Sequence, residues 1–215
     1  MTIHKSNNKC FSENKLYSKN VILQKTFPIH RTKHKEQKKR KLYILLTRFP
    51  DNGSKAIQAL TGFYYTHASI GLEEDMNTFY SFVVKGFIVE EISRYLRPDR
   101  APFPCQLYEL EVSEKVYNSV KKILSSYIER KKHLRYTKLG LVFCLLRIPY
   151  KKDHHYFCSQ FVADVLKQAK ANRLKKNSAL YLPKDFKNLP GIRLHFQGNL
   201  QSMLNYFEMY QALPQ

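Results

Sequence analysis

The chain has 215 residues, 43% of them apolar and 13% aromatic, which suits one domain with a buried core and excludes a disordered chain. Its formal charge is +20 and its pI near 9.8, so an anionic partner is the class to consider. The excess is uneven: residues 1–41 hold 12 Lys/Arg against two Glu.

Residues 1–41 therefore read as a basic, loosely attached segment ending in Lys33–Lys41 (KHKEQKKRK), and residues 42–215 as the folded domain. The basic run is expected to contact an anionic surface, lipid or nucleic acid. No apolar run of signal length follows Lys5 and Lys9, and Leu42–Leu46 and Leu139–Leu146 are too short to span a bilayer, so the expected location is cytoplasmic. The four cysteines, Cys10, Cys105, Cys144 and Cys158, do not have the spacing of a disulfide scaffold in a chain of this length.

Leu42–Thr47 predicts a short strand, and Pro50-Asp51-Asn52-Gly53 a turn. Ser54–Leu60 predicts a short helix with Ser54 as N-cap. Tyr65–Leu72 reads as a strand with His67, Ser69 and Gly71 on one face and Ala68 and Ile70 on the other. Glu73–Thr78 is a polar turn, and Phe79–Val84 returns as the second strand of a hairpin. Phe87–Tyr95 carries a further strand or short element. Arg97–Pro104 is a proline-rich loop, and Gln106–Val112 alternates like a half-exposed strand.

A helix opens at Ser113-Glu114 and runs to about Lys132, with Val116, Val120, Ile123, Leu124, Tyr127 and Ile128 on its apolar stripe. Tyr136–Leu146 is a second apolar stretch. A further amphipathic helix starts near Phe157, with Phe161, Val162, Val165, Leu166 and Ala169 toward the core and Asp164 toward solvent. Leu182–Leu194 adds a short helix, which Asp185 can cap, and a strand.

Cys158 carries the chemical argument. It falls in the first turn of that last amphipathic helix, where unpaired N–H groups and the helix dipole favour a thiolate. The same N–H groups can hold an oxyanion. A buried Cys is also simply a small apolar residue, so the inference needs a base. His67, on a hairpin strand, can serve as general base and then general acid.

The order of segments strengthens the pair. THASIGLEEDMNTFYSF, a mainly helical stretch and then HHYFCSQFVADVL together resemble the permuted papain-like superfamily of the NlpC type, which includes uncharacterised bacterial hydrolases and relatives of lecithin–retinol acyltransferase. The matching positions are His67, Ile70 and Leu72, then Tyr156, Cys158, Ser159, Phe161 and Val162, and the resemblance covers roughly residues 42–195. It implies an α+β, circularly permuted papain-like fold in which an antiparallel sheet packs against the cysteine helix.

It also implies a cysteine-dependent amidase or peptidase, or an enzyme acting on an acyl ester or thioester. A third polar residue on the returning strand should orient the imidazole. That strand offers no Asn, His, Glu or Asp, and Ser81 is the position expected, with Thr78 and Tyr80 nearby. The weakness of a serine in this role keeps a second reading open, a non-catalytic binding module on the same fold.

No cofactor is expected: the chain has neither a Gly-rich phosphate loop nor a G-x-S-x-G elbow. His154 and His155 lie close to Cys158 in sequence, but no second Cys/His pair stands at metal-ligand spacing, and a polar loop is the simpler reading.

Overall fold

A computed structural model describes residues 38–50, 52–99 and 101–211; the N-terminal segment up to residue 37, with Cys10 and the first half of the basic run, lies outside them. The strand β1 (Lys39–Thr47) leads into α1 (Asn52–Thr61) and then β2 (His67–Leu72), β3 (Thr78–Val83) and β4 (Gly86–Glu91). A 3-10 turn, Ile92–Tyr95, follows. Then come β5 (Pro104–Ser113) and the long α2 (Glu114–Glu129). The short β6 (Arg135–Tyr136), α3 (Lys138–Leu145) and β7 (His155–Tyr156) precede α4 (Cys158–Gln168). Two further 3-10 turns lead to β8 (Ile192–Asn199) and α5 (Leu200–Gln211).

Six strands form one antiparallel sheet in the order β4-β3-β2-β1-β5-β8, while β6 and β7 make a separate parallel pair. The architecture is thus α+β with an antiparallel sheet. β1 lies in the middle, and its position explains its composition. Leu42, Ile44 and Leu46 join the core beneath α2 and α4, whereas Tyr43 and Leu45 join the core beneath α5. A strand covered on both faces reads as an unbroken apolar run rather than an alternation.

β2 keeps the expected phase. Ala68 and Ile70 enter the core with Phe161, Val162 and Val165 of α4. Gly71 pairs with Phe79 across the ladder to β3, and a Cβ at Gly71 would stand 2.6 Å from the Phe79 ring. The glycine is therefore a matter of space, since it lets the fully buried Phe79 ring lie over the strand. The hairpin from β3 to β4 turns through Val84-Lys85, and Gly86 has φ +106 with the Leu134 carbonyl 2.8 Å from where a Cβ would be.

Several boundaries move. β1 begins three residues before Leu42, so Lys39–Lys41 belong to the sheet and not to a loose segment. Lys39 pairs with Glu111, Arg40 with Glu73 and Glu74, and Lys41 with Glu109. Those cations already have partners within the fold. α1 starts at Asn52, which puts Ser54 inside the helix rather than at its N-cap. Ser113 does cap α2, accepting from the Val116 N–H. Asp164 is buried, not solvent-facing: it accepts from Ser178 Oγ and pairs with Lys151 at 2.7 Å. α5 was not expected, although Leu200, Met203, Leu204 and Phe207 recur at helical spacing and pack in the second core.

Candidate active site

Cys158 is the first residue of α4. The preceding residue, Phe157, is the N-cap in extended conformation and supplies no side-chain cap. The N–H groups of the first turn are therefore left for other acceptors. The backbone N–H groups of Ser159, in its own helix, and of Ala68 in β2 favour the ionised form of the Cys158 thiol. α4 is held there by burial of every residue from Cys158 to Leu166, all but its last two.

His67 opens β2 and is 7% exposed. Its Nε2 lies 2.8 Å from Oε1 of Glu90, a carboxylate on β4 that is 3% exposed. Cys158 lies beside the imidazole in the same cavity, and each of the two groups shifts the titration of the other. Ser69 Oγ, two residues along β2, donates to Oε2 of the same carboxylate. Phe49 meets the imidazole edge-on at 5.3 Å and itself packs on Tyr95 and Phe103. The ring is thus fixed by a carboxylate and an aromatic wall.

Burial disfavours charge on both the imidazole and the thiol. Against that, the Glu90 carboxylate and the sulfur raise His67 well above the usual imidazole range. The His67 ring, with the Ala68 and Ser159 N–H groups, holds the Cys158 thiol below the usual thiol range. Cys105 and Cys144 behave oppositely: burial pushes each thiol up to about 12. Of the three described cysteines, Cys158 is the one whose thiol is held down rather than pushed up.

Ser81 is not the group that orients the imidazole. It is fully buried, and its Oγ donates to the Ala68 carbonyl at 2.6 Å. It anchors the strand beside the sulfur, and Glu90 takes the part expected of it. The carboxylate comes not from the first returning strand, β3, but from β4, where Glu90 is paired opposite Phe79. The legible signal is a Glu inside the strand GFIVEE, where an acidic residue is poorly suited unless it has a buried partner. His154 is exposed, and His155 Nδ1 donates to the Asp153 carbonyl at 2.7 Å; neither joins Cys158. Among the described residues no group of three His, Cys, Asp or Glu side chains could hold a metal ion.

His67 and Cys158 line one cavity of about 390 Å³. Phe49, Ile57, Phe82, Val83, Val84 and Tyr136 supply its apolar lining, and Lys85 is the cation among the lining residues. A second cleft of about 460 Å³ lies further along α1, at Leu60, Leu145 and Leu182. It lacks a nucleophile–base pair, its Cys144 being one of the thiols pushed up by burial. Comparison with models of protein families finds none that matches the chain, and no curated protein matches it in sequence. No described helix is long and apolar enough to cross a membrane.

Proposed function

We propose that this chain is a cysteine-dependent hydrolase of the permuted papain-like kind, acting on the carbonyl of an amide, an ester or a thioester. The observation that carries the reading is the buried Cys158–His67–Glu90 relay at the start of α4. Cys158 Sγ attacks the carbonyl carbon and a C–S bond forms. The carbonyl oxygen, now negative, is met by the Cys158 N–H at the helix start. The imidazolium gives its proton to the departing amine, alcohol or thiol as the old bond breaks. His67 then takes a proton from water, whose oxygen attacks the thioester, and the acid product leaves as the thiol re-forms.

Glu90 keeps the imidazole in the correct orientation and stabilises its charged form, the part a third group plays in such relays. A strong orienter removes the observation that favoured a non-catalytic binding module. The wall of the cavity suits a substrate with an apolar part next to the scissile carbonyl.

The test is competitive alkylation of the full chain by iodoacetamide near pH 6, read by mass spectrometry site by site. Cys158 should be modified far faster than Cys144 and Cys105, and His67→Ala should abolish the difference. Equal rates for Cys158 and Cys144 would overturn the reading.

A further inference from the structure

Outside the catalytic cavity, α3 has a composition its exposure does not explain. Leu139, Val142 and Leu146 follow one another at helical spacing and form a single stripe. They are 53%, 50% and 62% exposed, while the side turned inward is Gly140 and Cys144. Ile148, just past the end of the helix, is exposed as well, and Leu60 of α1, 71% exposed, lines one cleft with Leu145. A surface helix ordinarily turns polar residues outward, and clustered exposed apolar groups mark a surface that something covers.

The stretch of chain that carries this stripe is charged with one sign. Residues 130–150 contain six Lys/Arg and no Asp or Glu. Lys138 precedes the stripe and Arg147 follows it, both exposed, and Lys184 lies on the cleft rim. The acidic group in the cleft, Asp185, is paired with Lys176 at 2.7 Å. A second copy of the chain would bring the same positive ring against itself. Nucleic acid would satisfy the cations but leave the leucines against a phosphate backbone. A layer with anionic headgroups over an apolar interior matches both features.

We propose that the α3 face docks on an anionic lipid surface, with Leu139, Val142 and Leu146 entering the headgroup boundary and the basic residues around them meeting lipid phosphates. The position has a use. Tyr136, just before α3, lines the Cys158 cavity, and α1 gives Ile57 to that cavity and Leu60 to the apolar cleft. Docking would set the cavity beside the lipid surface. The inference does not rest on turnover at Cys158, and Cys158→Ala should dock like the parent.

The experiment is co-sedimentation of the full chain with vesicles of phosphatidylcholine, or of phosphatidylcholine with about one third phosphatidylglycerol. The mixed vesicles should bind at least about tenfold more tightly. Leu139→Ser, Val142→Ser and Leu146→Ser together should reduce that binding about tenfold or more, with the thermal transition unchanged. Lys138→Glu, Arg147→Glu and Lys184→Glu together should do the same, and they decide the matter alone if the serine variant fails to fold. The proposal is overturned if mixed vesicles are not bound, or if folded variants bind as the parent does, which would put the contact elsewhere on this basic chain. It is equally overturned if the serine substitutions convert a dimer to a monomer.

Discussion

Glu90 accepts from His67 Nε2 at 2.8 Å from a strand two places away in the same sheet, and Ser69 holds the carboxylate's other oxygen. The imidazole is therefore fixed by the sheet itself, while the thiol it serves is delivered by a helix packed on that sheet. Replacing Glu90 by Gln keeps the shape and removes the charge. His67 would lose its strongest support for the protonated form, and the Cys158 thiol would titrate higher. The alkylation rate of Cys158 near pH 6 should fall by about tenfold or more, one order for each unit the thiol moves. An unchanged rate would show that Glu90 is merely structural.

The direction of the two shifts sets a pH window. Cys158 is held below the usual thiol range, so its contribution to stability is present above the ordinary thiol value and fades as pH falls through its depressed one. His67 is held above the usual imidazole range, so its contribution is full below the ordinary imidazole value and is lost as pH rises through its raised one. The thiolate–imidazolium pair occupies the interval between. The alkylation profile of Cys158 should inflect well below the range of a free thiol. A profile inflecting at the free-thiol value would contradict this arrangement.

The roles of two serines separate cleanly. Ser81→Ala removes the bond to the Ala68 carbonyl and should cost about 1–2 kcal/mol in urea unfolding, with the pH profile of Cys158 nearly unmoved. Ser69→Ala frees one oxygen of Glu90 and should move that profile while costing a similar amount. Reversal of the two patterns would restore Ser81 as the orienting group.

Gly71→Ala places a methyl group 2.6 Å from the Phe79 ring. The ring is fully buried, so the strands must shift, at a cost of about 1–3 kcal/mol. Phe79 sits opposite Glu90 in the ladder, so loss of thiolate reactivity should accompany the loss of stability. Full reactivity in this variant would show that the carboxylate tolerates movement of its neighbour.

Much of this was written in the sequence, for identifiable reasons. Cys158 was legible because a strong amphipathic pattern starts at that residue, and a helix start has electrostatic consequences whatever packs around it. His67 was legible from strand phase together with the order of the two motifs. Glu90 was not, because its meaning depends on β4 lying beside β3 and on a carboxylate finding a ring from another strand. Alternation along one strand carries no information about that. The early start of β1 was hidden by Lys39–Lys41, which look like a solvated tail until Glu109, Glu111 and the Glu73–Glu74 turn are brought opposite them. α5 has a readable stripe, but it follows a strand whose Gly198 and Asn199 end the preceding pattern.

The thiol and its base come from distant stretches of chain, with β4, β5 and the long α2 between them. Closing such a loop is slow and is rewarded only when the last partner docks. During synthesis the imidazole and carboxylate emerge long before α4, so the sulfur first meets them after most of the sheet has left the ribosome. Until that moment Cys158 lacks the His67 ring, the group that does most to hold its thiol down.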